Sequence, residues 1–196
     1  MARRADHSRE QLKALAIKTT QEFITEHGVA ALSARKITGK MGYTIGTLYQ
    51  VFADVDDLLL HVNAETLDGL RAHIETQRAA SPQQGALRLR QLASLYVEYT
   101  NQHPQLWQAL LHYRWAEDKQ PPVWYQEKVS GLLGIVEKVL QEQVTTDVSR
   151  HARILWAGLQ GISTLYSNRK FAVTGGGSLS DLVEAFVMTY VQGMRS

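Results

Sequence analysis

The sequence predicts an all-α fold: an N-terminal three-helix unit containing a helix-turn-helix, then a larger helical domain. Three observations carry that expectation. Apolar residues recur at three- and four-residue spacing almost throughout, and few segments alternate with period two. Hydroxyl or carboxylate residues stand ahead of the apolar runs and glycines stand behind several of them. Charge is uneven: residues 1–52 hold eight Lys and Arg against four acids, whereas the remainder holds thirteen against fifteen. A basic end on a mildly acidic body fits a polyanion partner, although charge alone fits a plain solvated basic surface equally well.

The first helix is expected over "SREQLKALAIKTTQEFITEHG", with Ser8 as its cap, Leu12, Leu15, Ala16, Thr19, Phe23 and Ile24 on one face, and Gly28 as its stop. "VAALSARKITGKMG" follows. Ser33 caps a short helix there, Ile37 and Met41 lie four apart, and Gly42 supplies a left-handed end. Thr44 caps the next short helix, whose Leu48 and Phe52 lie four apart. A longer helix runs from "DVDDLLLHV" to about Arg78, with Asp54 as its cap and Asp57 among its free amides. "AASPQQG" breaks the chain, and further helices are expected over about 84–102, 104–113, 121–143 and 147–170. After the glycine-rich "FAVTGGGSLS", a last helix over 179–194 carries a wide apolar stripe. The domain boundary is placed near residue 53, giving domains of 1–53 and 54–196.

Composition narrows the function classes. The chain has 196 residues, 44% of them hydrophobic and 20% charged, enough for a substantial core. No apolar run approaches the roughly 18 residues a membrane span needs. The basic start has no apolar segment behind it, so no secretory signal is read there and a cytoplasmic location is expected. Cysteine is absent, which excludes disulfides and thiolate chemistry. The seven histidines form no ligand cluster. His61 and Glu65 are four apart, but two ligands without a third read as a surface pair. No nucleophile elbow, phosphate-binding loop or dinucleotide-binding glycine pattern occurs. Neither an enzyme nor a cofactor is expected.

The pair of short helices separated by "GYT" reads as a helix-turn-helix, whose second helix lies in the DNA major groove. With Leu48 and Phe52 inward, Ile45, Gly46, Thr47, Tyr49 and Gln50 are free to face outward. Thr47 can meet a base edge and Tyr49 can reach a phosphate. Residues 31–59, "ALSARKITGKMGYTIGTLYQVFADVDDLL", resemble the DNA-binding module of TetR-family transcriptional regulators. Leu32, Ser33, Ile37, Met41, Gly42, Thr44, the run Gly46-Thr47-Leu48-Tyr49, Phe52 and Leu58 carry the likeness. "LWAGLQGISTLY" resembles the stretch of a subgroup with a Trp-His-Gly motif: Trp156 and Gly161 fit, and Gln160 stands where histidine is usual.

The resemblance implies a homodimer binding a near-palindromic operator. It makes Arg35, Ile45, Gly46 and Thr47 candidate groove contacts, and Ser33, Lys36, Thr44 and Tyr49 candidate phosphate contacts, with Gln50 beside them. Val51 and Val55 stand where a phosphate-binding histidine and a lysine are common. Fewer ionic contacts are expected at that edge, offset in part by Arg3, Arg4 and Arg9.

All four tryptophans fall in the second part. They read as a largely apolar effector pocket or, one by one, as core filling. Trp107, Leu111, Trp124 and Trp156 are the pocket candidates, with Gln160 as a polar anchor. The last two helices, with Ala157, Gly158 and Gly161 on the first, suit either burial within one chain or a four-helix dimer interface. The resemblance favours the dimer. The expected function is a ligand-responsive DNA-binding regulator, a repressor, with a small-molecule effector. The alternative is an architectural or cell-division DNA-binding protein of the same fold without an inducer.

Overall fold

A computed structural model describes residues 8–115, 120–142, 147–173, 175 and 177–194. Arg3 and Arg4 of the expected basic arm lie outside the described residues. Among those described there are nine α-helices and no strand: α1 (Arg9–His27), α2 (Ala34–Met41), α3 (Ile45–Tyr49), α4 (Val55–Ala80), α5 (Gly85–Gln102), α6 (Pro104–His112), α7 (Val123–Leu140), α8 (Val148–Ser167) and α9 (Leu179–Met194). The expected all-α class is the observed one.

Local chemistry sets most of the ends. Ser8 Oγ accepts the Gln11 amide at 3.2 Å and the Gln11 side chain accepts the Ser8 amide at 2.9 Å, a reciprocal capping box at the start of α1. Asp54 and Asp57 do the equivalent for α4: Asp54 accepts from the Asp57 amide at 2.7 Å, and Asp57 accepts from the Ala53 amide at 2.9 Å. Several ends differ from expectation, and α7 stops at Leu140 rather than 143. α7 begins at Val123 rather than 121, because Pro122 is extended at ψ 144°. α8 stops at Ser167 rather than 170, because Arg169 takes a left-handed φ of 56° that a helix cannot continue. Short 3-10 turns at Val29–Ala31 and Lys170–Val173 have no clear sequence signal.

Packing divides the chain into two compact units: Met1–Thr66 with His103–Gln120, and Leu67–Gln102 with Pro121–Ser196. The first holds a core of Ala16, Phe23, Ile24, Ile37, Leu48, Phe52, Leu58, Leu59, Val62 and Ala109. Leu32 and Met41 pack against its edge. The boundary expected near residue 53 falls inside this core. Burying Leu58, Leu59, Val62 and Ala109 gives three short helices the apolar area they cannot supply alone. In the second unit α5 and α8 both pack on α9, and α7 packs on α8. Leu92, Tyr96, Leu155, Leu159, Val183, Val187 and Val191 are buried there.

Candidate nucleic-acid interface

The helix-turn-helix is built from two caps and one glycine. Ser33 Oγ accepts the Lys36 amide at 3.4 Å and opens α2. Gly42 closes α2 at φ 75°, ψ 26°, the left-handed region where a side chain is disfavoured. The Tyr43 amide then reaches back to the Thr38 carbonyl at 3.0 Å. Thr44 Oγ1 accepts the Thr47 amide at 3.2 Å and opens α3. Leu48 is 0% exposed and anchors α3 to the core; the Phe52 amide still bonds to the Leu48 carbonyl at 3.1 Å, which carries the turn past Tyr49 and buries Phe52.

With Leu48 inward, Ile45, Gly46, Tyr49 and Gln50 are exposed and Thr47 is half-buried. Thr44 and Thr47 place their hydroxyl oxygens 2.9 Å apart, so one of the two hydroxyl protons is committed within the pair. Arg35 is exposed and, among the described residues, has no ion-pair partner. The other two α2 cations are engaged. Lys36 donates to the Ala31 carbonyl at 2.9 Å and lies 5.8 Å from the Phe23 ring centroid. Lys40 pairs with Glu26 at 3.0 Å, and its ammonium holds the Glu26 carboxyl below the ordinary 4.5. Asp54 and Asp57 each accept a backbone amide at the start of α4. His61 lies 3.8 Å from Asp57 and sits edge-on to Phe52. No metal-holding cluster occurs among the described residues.

The five effector-pocket candidates divide between the units. Trp107, buried, and Leu111, exposed, are on α6 in the first. Trp124, half-buried on α7, and Trp156 and Gln160 on α8 are in the second. Trp156 is 45% exposed. Gln160 Oε1 accepts from the Tyr96 hydroxyl at 2.5 Å, and its amide nitrogen donates to Thr164 Oγ1 at 2.7 Å. It heads a polar seam between α5 and α8: Thr100 and Ser163 hydroxyls lie 3.0 Å apart, and Ser167 donates to Asn101 at 3.1 Å. The sequence reading missed this seam. Its signal was available as hydroxyls and amides at three- and four-residue spacing on two otherwise apolar stripes. It also missed Asn63, fully buried on α4, whose amide oxygen and nitrogen have no hydrogen-bond partner among the described residues.

On the other face of α8, the Phe186 ring of α9 covers Gly158. A Cβ at that position would stand 2.2 Å from Phe186 Cζ. Ile154 and Leu165 are each 45% exposed on the same helix.

A capped helix-turn-helix in one compact unit and a helical bundle in another define the class: a helical transcriptional regulator. The family model "Tetracyclin repressor-like, C-terminal domain" matches residues 89–190. The chain belongs to the TetR family of transcriptional regulators. No curated protein matches the sequence. Solved structures share the fold. A protein of unknown function from Rhodococcus sp. RHA1 superposes with a TM-score of 0.80 at 19% identity, covering 100% of both chains. The transcriptional regulator FadR from Bacillus subtilis in complex with stearoyl-CoA gives 0.66 at 17%, covering 92% of this chain and 98% of that one. The TetR-family transcriptional regulator PfmR from Thermus thermophilus gives 0.63 at 17%, covering 90% and 97%. No helix among the described residues is long and apolar enough to cross a membrane.

Proposed function

We propose that the protein is a ligand-responsive repressor that binds a palindromic operator as a homodimer. The observation that carries the DNA reading is the side-chain division on α3: Leu48 is fully buried, while Ile45, Gly46, Tyr49 and Gln50 are exposed on a helix capped at a tight turn. Such a helix lies in the major groove with its amino-terminal residues at base edges. Thr47 and Ile45 are assigned to bases and Tyr49 to a phosphate. Arg35 supplies a free cation beside them. Ser33, Lys36 and Thr44 complete the backbone contacts, with Lys36 released from the Ala31 carbonyl.

Two copies pair through α8 and α9, using Ile154, Ala157, Gly161 and Leu165. In that dimer the two copies of α3 must match successive major-groove faces, which recur about every 34–36 Å. An effector strengthens or releases DNA binding only by its differential affinity for dimers of different spacing. α4 begins in the first unit and ends in the second, which makes it the lever. The effector is largely apolar, held in the second unit by Trp124 and Trp156 with Gln160 as its polar anchor. Long-chain acyl thioesters are apt first probes, since the FadR structure carries stearoyl-CoA.

Gel-shift titration tests the DNA assignment. Tyr49→Phe should weaken binding to operator and random duplexes about equally, whereas Thr47→Ala should change sequence preference. Unchanged affinity in both variants would remove the assignment. A thermal-shift series with acyl thioesters and other apolar probes tests the effector: no stabilising compound would favour the architectural alternative.

A further inference from the structure

We propose that Ile45 reads the 5-methyl group of a thymine, so that each operator half-site carries an A·T pair at one fixed position. The proposal rests on the reading of α3 as a groove-entering helix and specifies the chemistry it recognises. α3 has the sequence Ile-Gly-Thr-Leu-Tyr and carries no acid, lysine or arginine. Its first residue, Ile45, is 38% exposed, an aliphatic side chain in water on the surface assigned to bases. Tyr49, 46% exposed, lies four residues on and therefore on the same flank, so its ring extends the apolar strip. Thr47, between them in sequence, is half-buried and has its hydroxyl 2.9 Å from that of Thr44.

Base edges in the major groove present donors, acceptors and one kind of apolar group, the thymine methyl. Against any other edge, Ile45 would strip water from a polar atom and return no hydrogen bond. Against thymine it buries two apolar surfaces together. The Thr44 cap fixes the first turn of α3 and hence where Ile45 projects. The positive excess of residues 1–52 supplies attraction to the backbone without contributing to the choice of base.

The test uses the full-length protein and a duplex selected from a random pool. Each thymine is replaced in turn by deoxyuridine, which removes only the methyl group. At one position per half-site the replacement should weaken binding about fourfold, and roughly fifteenfold with both half-sites replaced. Ile45→Ala should bind the thymine and deoxyuridine duplexes equally. Circular dichroism checks that the variant is folded, and the deoxyuridine series on the unaltered protein needs no variant. Indifference of the unaltered protein to every replacement would overturn the proposal, as would an Ile45→Ala protein that keeps full sensitivity. Failure to bind any selected duplex would instead overturn the DNA reading beneath it.

Discussion

Gly158→Ala should destabilise the α8–α9 contact although alanine is the better helix former. The added Cβ would stand 2.2, 2.7 and 2.9 Å from three atoms of the Phe186 ring, against an ordinary contact of 3.4 Å or more. The ring must retreat by about 1.2 Å, the difference between 2.2 and 3.4 Å. It is not free to do so cheaply: it packs 6.1 Å from the Tyr190 ring, and Tyr190 is hydrogen-bonded to His151 Nδ1 at 2.7 Å. Overpacking of this kind costs about 1–3 kcal/mol. Replacing a helix-interior glycine by alanine returns about 0.8–1.0 kcal/mol.

Gly134 in α7 supplies the control, since a Cβ there meets nothing within 4 Å and only the propensity gain remains. The two variants should therefore differ by about 1–3 kcal/mol. At roughly 2–4 °C per kcal/mol for a chain of this size, the gap is several degrees in Tm. The assay is thermal unfolding followed by circular dichroism at one protein concentration, because the proposed dimerisation would make Tm depend on concentration. Adding Phe186→Leu to Gly158→Ala should recover part of the loss. Equal stabilisation by Gly158→Ala and Gly134→Ala would refute the reasoning and remove Phe186 from its place over Gly158.

Two further outcomes follow from the first unit. Asn63→Leu should raise Tm, because it replaces a fully buried amide lacking partners at both ends by an apolar group of similar size, relieving about 1–3 kcal/mol; a lowered Tm in thermal unfolding would show that the amide is paired in solution. Lys40→Ala should let the Glu26 carboxyl rise toward its ordinary 4.5, read by NMR titration. Since the folded value is the lower one, the pair contributes above the unfolded value and its contribution fades as pH falls through the folded one, so the stability difference between the two proteins should shrink in acid. An unmoved Glu26 titration would exclude the ion pair.

What the sequence revealed follows the range of the interactions. Ser8, Ser33, Thr44 and the Asp54–Asp57 pair act within four residues, so their caps could be read directly. Gly42 could be read because one backbone conformation explains it. The inward and outward sides of α3 followed from Leu48 and Phe52 alone. The membership of α6 in the first unit could not be read, because Ala109 meets a core assembled from residues 16–62. Trp107 and Leu111 lie in the first unit, whereas Trp124 and Trp156 lie in the second. Gln160 reads as a polar anchor from its place in the sequence, but its partner Tyr96 is 64 residues away and no local pattern connects them. Asn63 resisted reading for the opposite reason: an asparagine beside Val62 and Ala64 looks like a surface position until the packing of α4 is known.

The central claim is that two copies of α3 read double-stranded DNA at a fixed separation. Selection of bound duplexes from a random pool by the full-length protein tests it most directly. The account predicts enrichment of an inverted repeat whose half-site centres lie about one helical turn apart, or a small multiple of it. A pool that does not enrich, or one that converges on a site without two-fold symmetry, would contradict it.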